Sequence, residues 1–288
     1  MPEGDTVWRT AQRLDKALAR GEVVLCDLRF PGISTTDLRG TSTIEVVSRG
    51  KHLLHRFDNG QTLHSHLRME GQWRVETPVD SARWMRRDDL RAAIGTTSWT
   101  ALGLRLGMLD LVATSEEASL VGHLGPDLLG PDWDLERALA NLRASGTTIG
   151  AALLDQRNLA GIGTLWASES LFLSRLGPWT AAAEVDDADL HRLVARAHDL
   201  LTQARHHAVQ SSTGVRRKGE ESYVHARSGR PCRRCGTIVR VAMIGPPTRE
   251  RTMFYCPQCQ HGLAPTDDGR PQRPLGSTGS RTSPYRRA

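Results

Sequence analysis

Two cysteine pairs, Cys232-x2-Cys235 and Cys256-x2-Cys259, constrain this chain more than any other feature. Each CxxC turn aims two sulfurs at one point, and two such pairs suit a tetrahedral Zn²⁺ site. Gly236 and Pro257 fit the turns. The twenty residues between the pairs suffice for a β-hairpin, with "TIVRVAMIG" and "RTMFYC" as strands and "PPTRE" near the tip. A zinc closed by four thiolates shapes the chain and does no chemistry. Its task would be to hold Arg249 and Arg251 in one orientation, where guanidinium groups suit phosphate or groove contact. A disulfide pair and an exposed ribbon without a ligand are the alternatives. Cys26 sits alone in an apolar strand and reads as a core residue.

Upstream, the hydrophobic period changes twice. Residues 3–20 read as an amphipathic helix, with Val7, Trp8, Ala11, Leu14 and Leu18 on one face and Gly21 as terminator. Residues 22–113 carry short β-rich runs such as "EVVLCDLRF", "TIEVVSRG", "HLLHRF" and "GQWRVE", which suggest an antiparallel sandwich or flattened barrel. Residues 114–135 form a Gly/Pro-punctuated connection. The runs "DLERALANLRA", "TTIGAALLDQ", "GTLWASESLFLSRL" and "DDADLHRLVARAHDLLTQARHH" then give four helices. A β-rich half before a helical half makes an α+β multidomain chain. The expected divisions are 1–113, 114–135 as linker, 136–220, 221–262 as the cysteine module, and 263–288 as a disordered basic tail.

The net charge of +6 favours a polyanionic partner, and its distribution is sharper than its size. Residues 205–240 hold nine Arg or Lys against two acids, so the rest of the chain is near neutral. Lysine occurs only at 16, 51 and 218, which draws attention to the amine of Lys51 in "SRGKHLL". No apolar run approaches the roughly 18 residues of a membrane span. The charged start does not resemble a signal peptide, so a soluble, cytoplasmic protein is expected.

Two further stretches carry chemistry. In "LLDQRNLAGIGTLWASESLF", Gly161-Ile162-Gly163 joins two helical patterns. The free N–H groups of the second helix, starting near Thr164, favour an anion, and glycine lets a phosphate approach. The chain opens with "MPEGDT". Removal of Met1 would leave Pro2 as a free secondary amine with a pKa near 7.7–8.0, so roughly a tenth or more is unprotonated at neutral pH. Such an amine condenses with an aldehyde-type carbon to an iminium ion, an electron sink for covalent catalysis. Glu3 beside it suits proton transfer, although helix capping is its simpler role.

Pro2-Glu3, Lys51, "HSHLRMEG", "LDQRNLAGIGTLWASESLF" and the closing "RTMFYCPQCQ" together resemble the formamidopyrimidine-DNA glycosylase / endonuclease VIII family, over nearly the whole chain to about Gln260. The resemblance implies a leading helix and β-sandwich, a helix–two-turn–helix DNA-binding domain and a zinc-finger hairpin. It implies Pro2 as nucleophile at C1′, Glu3 as proton donor and acceptor, Lys51 as a phosphate-contacting lysine that aids catalysis, and Arg251 gripping phosphates beside the lesion. His66 would approach a phosphate. Met69 would fill the gap left by an extruded base. Asn158, Gly161, Gly163 and Thr164 would lie at the DNA, and Glu169 would be structural or help position the amino terminus. Thr164 stands where the family has asparagine, so one phosphate contact loses an amide donor, worth on the order of 1 kcal/mol. No aromatic wedge accompanies Met69, Trp99 apart.

The implied activity is a bifunctional DNA glycosylase/AP lyase acting as a monomer on damaged duplex DNA near the nucleoid, with one structural Zn²⁺. "MPEGDTVW" favours the endonuclease VIII branch, hence oxidised pyrimidines and hydantoins, while "HLRM" leans towards 8-oxoguanine and formamidopyrimidine lesions. A non-catalytic zinc-dependent DNA-binding protein and an RNA- or ribosome-associated zinc module are the other classes. The loop "SSTGVRRKGEESYVHARSG" would close over the flipped base.

Overall fold

A computed structural model describes residues 2–272 of the chain. They divide into two compact units. The first runs to Asn141 and adds Gln156–Ile162 and Leu201–Ala208. The second comprises Leu142–Asp155, Gly163–Leu200 and the residues from Val209 onward. The units are therefore interleaved along the chain, whereas the sequence suggested consecutive blocks. Gly161 is tied to the amino terminus, which draws the "AGI" of the glycine turn into the first unit.

In the first unit α1 (Gly4–Leu18) precedes eight strands: β1 (Leu25–Leu28), β2 (Thr43–Arg49), β3 (His52–Phe57), β4 (Gln61–His66), β5 (Gln72–Glu76), β6 (Leu90–Gly95), β7 (Thr100–Leu104) and β8 (Met108–Ala113). Short helices α2 (Pro78–Ser81) and α3 (Glu117–Val121) follow β5 and β8. The strands form two antiparallel sheets, ordered β1-β6-β7-β5 and β2-β3-β4-β8. Val46, Leu53, Phe57 and Leu63 of one sheet share a buried core with Trp73, Ala92, Ile94 and Ala101 of the other. The same core takes in Val7, Ala11, Leu14 and Leu18 of α1, so the helical period read from the sequence is the buried face. The helix ends before Gly21: Arg20 takes the left-handed conformation at φ 64°, and Gly21 has no room for a Cβ against Thr96.

Helices α4 (Leu135–Ala144), α5 (Ile149–Leu154), α6 (Thr164–Leu173) and α7 (Asp187–Ala204) correspond to the four helical runs. Helix α6 is buried on every face from Thr164 to Phe172, as expected of a helix that is apolar all round. In the second unit it packs on β10 (Arg251–Tyr255), which pairs with β9 (Arg240–Ile244) as the expected hairpin.

The stretch from Leu263 does not begin a disordered tail. The Asp267 side chain is 1% exposed and pairs with Arg240, and it accepts a hydrogen bond from the Tyr255 hydroxyl at 2.5 Å. The Ala264 N–H donates to the same hydroxyl oxygen at 3.0 Å. The Gln272 side chain accepts from the Val241 N–H and donates to its carbonyl. Residues 263–272 thus strap the hairpin, and polar groups that suggested disorder are its fastening. The remainder of the expected tail, 273–288, lies outside the described residues.

Candidate active site and nucleic-acid interface

Three glycines from the three motif regions meet in the first unit. The Gly4 N–H donates to the Gly161 carbonyl at 2.8 Å. A Cβ on Gly4 would stand 3.0 Å from the Gly161 Cα, and one on Gly50 would stand 3.4 Å from the Gly161 nitrogen. Gly161 itself has φ 96°, a conformation that disfavours any residue with a side chain. Beneath them lies Asp127, 2% exposed, whose carboxylate accepts from the Gly50 N–H at 2.7 Å and the Leu129 N–H at 3.0 Å. Burial raises its pKa, opposed by those two hydrogen bonds. "MPEG", "RGK" and "AGIG" therefore share one rigid point. Pro2, Glu3 and Lys51 are each within two residues of it along the chain. Asp127 was not singled out in the sequence, because one acid in a Gly/Pro-rich connection gives no periodic signal.

Pro2 is partly exposed, and Glu3, at 0%, is wholly buried. Pro2 lines a cleft of about 540 Å³ with Leu67, Met69, Glu70 and Trp73. Met69 is 62% exposed and stands outside the core. Arg9, Arg13, Arg74 and Arg105 also line this cleft. Arg9 donates to the carbonyls of Ala204 and His207, and Arg13 to that of Trp73. Burial, and then the neighbouring Arg9 and Arg74, lower the Arg13 pKa. The wall is thus strongly cationic and suited to oxygen-rich or anionic groups. These arginines went unremarked in the sequence, since α1 spaces them along one turn after another and only folding adds Arg74 and Arg105.

Lys51 and His66 lie at the facing ends of β3 and β4, both partly buried. Burial, then Arg68 and Lys51, depress the His66 pKa to about 4. The "HLRM" turn places Arg68 at φ 55°. That left-handed backbone is one that glycine adopts more readily than arginine. Asn158 is partly buried, and its carbonyl accepts from the Asn141 side chain at 3.2 Å.

In the second unit Gly163 caps α6, and Thr164 is only 5% exposed. Glu169 is fully buried. Its carboxylate accepts from the Tyr223, Val224 and His225 N–H groups at 2.8, 2.8 and 2.7 Å, and from the Ser212 hydroxyl. It is the anchor of the loop containing "ESYVH". Arg249 and Arg251 are exposed at the hairpin tip and at the start of β10. The four cysteine sulfurs lie within 4.8 Å of one another, with Cys232···Cys259 at 4.0 Å and Cys235···Cys256 at 3.5 Å. Tetrahedral thiolates about 2.3 Å from a metal stand roughly 3.8 Å apart, so this cluster fits one such ion.

Residues 1–106 match the formamidopyrimidine-DNA glycosylase N-terminal domain, and residues 124–215 match the formamidopyrimidine-DNA glycosylase H2TH domain. The chain belongs to this family of DNA-repair glycosylases. Within it, the chain is 50% identical to the probable endonuclease 8 2 of Streptomyces coelicolor, covering 94% of this chain and 98% of that one. It is 40% identical to the DNA-(apurinic or apyrimidinic site) lyase Nei2 of Mycolicibacterium smegmatis, over 90% and 99% of the two chains. The fold matches the Lactococcus lactis formamidopyrimidine-DNA glycosylase, solved non-covalently bound to DNA containing an AP site, at TM-score 0.76 and 23% identity. That alignment covers 90% of this chain and 99% of the other. Among the described residues, no helix is long and apolar enough to cross a membrane.

Proposed function

We propose that this protein excises oxidised pyrimidines and hydantoins from duplex DNA and then cuts the strand, using Pro2 as nucleophile. The single observation that carries the reading is that Pro2 and Met69 line one cationic cleft, while Gly4 pins the chain behind Pro2 to Gly161. The unprotonated Pro2 nitrogen attacks C1′ of the damaged nucleoside. The glycosidic electron pair leaves with the base, which takes up a proton; the Pro2 nitrogen then loses its own proton, the C1′–O4′ bond breaks with O4′ protonated, and an iminium ion forms. Loss of a C2′ proton then expels the 3′ phosphate, and a second elimination expels the 5′ phosphate. Glu3, buried beside Pro2, moves the proton that opens the sugar.

Met69, exposed at the rim of this cleft, fills the gap left by the extruded base, and the arginines lining the cleft make its wall cationic. Lys51, His66, Arg249 and Arg251 contact phosphates, as do the N–H groups at Gly163 and Thr164, with Asn158 and Gly161 beside them, the Gly161 N–H being held by the Gln156 side chain at 3.1 Å. The four cysteines hold Zn²⁺, which keeps the hairpin in shape. The protein works as a monomer on the chromosome in the cytoplasm. Relatives bearing the name endonuclease 8 support the branch, and the lesion class is read from the opening "MPEGDTVW".

Borohydride trapping tests the chemistry. The protein freed of Met1 should crosslink to duplex DNA carrying an abasic site, and Pro2→Gly or a retained methionine should abolish it. Intact DNA binding without any trapped adduct would refute the nucleophile. Preference for 8-oxoguanine over a hydantoin in single-lesion duplexes would overturn the lesion class.

A further inference from the structure

The sheet beside Lys51 carries a chain of polar groups that the proposed reaction does not use. β3 places His52 opposite His66 on β4, and β4 places His64 opposite Asp110 on β8. Because strand side chains alternate, His64 and His66 share one face. His64 Nδ1 and an Asp110 oxygen are 2.9 Å apart, and His64 Nε2 and His52 Nδ1 are 2.8 Å apart. His64 is 1% exposed, whereas the Asp110 side chain is 43% exposed. The ring of His52 meets that of His66 edge-on, with centroids 4.9 Å apart.

These distances order the protons. A carboxylate only accepts, so His64 carries a proton on Nδ1. With one ring proton, its Nε2 accepts from His52 Nδ1–H. The His52 Nε2 is then left with a lone pair. His66 is oriented the other way: its Nδ1 accepts from the Arg68 N–H at 2.9 Å, which leaves its proton on Nε2. The chain thus begins at a solvent-exposed carboxylate and ends at a bare imidazole nitrogen beside a histidine that can donate.

The surroundings of His52 are cationic. His64 and His66 face it from β4, Arg68 follows them, His123 lies beyond α3, and Lys51 precedes it in the chain. Burial, reinforced by these histidines and Arg68, holds His52 at about 3 in the free protein. A phosphate docked beside His66 and Lys51 would cancel much of that repulsion, and an adjacent anion raises a histidine pKa by about 1–3 units.

We propose that His64 and Asp110 are positioning residues that hold His52 ready to accept a proton. A DNA phosphate arriving beside His66 then drives that uptake, giving the phosphate a second imidazole donor. This rests on the DNA-binding reading above. On uptake the proton bonds to His52 Nε2, and the positive charge is shared through His64 towards Asp110.

Calorimetric titration of the full chain with a duplex carrying a tetrahydrofuran abasic-site analogue tests this. It is run in buffers of different ionisation enthalpy, at about pH 4.5 and about pH 8. One proton taken up corresponds to affinity rising about tenfold per pH unit of acidification. A substantial fraction of a proton should be taken up at the lower pH and none at the higher. Asp110→Asn and His52→Gln should lose that uptake, and Asp110→Asn should bind within about threefold of the parent at the higher pH. Uptake that survives in His52→Gln but vanishes in His66→Gln would overturn the proposal. So would tight binding by the parent protein with no uptake, which would leave the DNA reading intact. Absence of binding at either pH would sink both. Nitrogen-15 spectra of the histidine rings supply a second measurement. Both His52 and His64 should carry their proton on Nδ1, and Nε2 protonation of either ring would overturn the chain.

Discussion

Replacing Glu169 by Gln should release the loop it anchors while leaving α6 in place. The carboxylate accepts four hydrogen bonds, from Tyr223, Val224 and His225 N–H groups and from the Ser212 hydroxyl. One oxygen serves Val224 and His225, the other Tyr223 and Ser212. Glutamine has nearly the same shape but only one acceptor oxygen; turned so that its NH₂ meets Tyr223 and Ser212, where the hydroxyl can accept, it still leaves the Tyr223 N–H unpaired and the Val224 and His225 bonds without a charged acceptor. A hydrogen bond to a charged acceptor contributes about 1.5–3 kcal/mol against about 1 for a neutral one, so one lost bond and two weakened ones remove roughly 3–6 kcal/mol. The loop limits the loss by opening to water, since most of its other residues are already partly exposed. Local opening is therefore expected, with the global fold kept. Native-state hydrogen exchange reads it directly. Amides of Tyr223, Val224 and His225 should exchange roughly a hundredfold faster or more, at about 1.4 kcal/mol per tenfold. Amides of β3 and β4 should not change. Parent-like protection at all three amides would refute the claim that this carboxylate holds the loop.

Four further outcomes follow from the same reasoning. Asp267→Ala leaves the Arg240 guanidinium buried without its partner, so thermal unfolding should show a loss of about 3–5 kcal/mol in the second unit, and an unchanged melting curve would dismiss the strap. Gly161→Ala forces a side chain onto φ 96° against Asp127, and trapping at an abasic site should fall by roughly five- to a hundredfold, the effect of about 1–3 kcal/mol of strain at the seat of Pro2. His55, 6% exposed and 2.8 Å from the Thr43 hydroxyl, is held neutral by burial with a pKa of about 3. Its unfolded counterpart binds a proton below about 6.5, so stability should fall as pH drops through that value, by about 1.4 kcal/mol near pH 5.5, and His55→Asn should flatten that slope in denaturant titrations. Stripping metal with a chelator should abolish DNA binding and melt the hairpin while the far-ultraviolet signal of the sandwich persists; full binding by the metal-free protein would refute the structural role.

Elements with a strong period were legible from residues alone. The face of α1 read as apolar is the face buried in the sandwich, and "TIVRVAMIG" and "RTMFYC" do pair as β9 and β10. What stayed hidden depends on partners far apart in the chain. Asp127 becomes informative only when Gly50 and Gly161 close over it. Asp267 and Gln272 looked like tail residues because polarity near a terminus signals disorder, and nothing local marks Arg240 as waiting for a counter-charge. Glu169 was noticed, but a buried acid in an apolar helix does not disclose which backbone it serves. The His52–His64–Asp110 chain was missed because "KHLLHRF" and "LHSHLR" read as strands with incidental histidines. Antiparallel register alone turns them into one row.

The seat formed by Gly4, Gly50 and Gly161 also sets a timetable for the protein's birth. The residue that accepts the Gly4 hydrogen bond is synthesised more than 150 positions after it. At about 5–20 residues per second, the nascent amino terminus waits on the order of ten seconds on the ribosome before its seat can exist. Once Gly161 arrives, Glu3 is sealed from solvent and the chain behind Pro2 is pinned. These residues, made early, are thus fixed late.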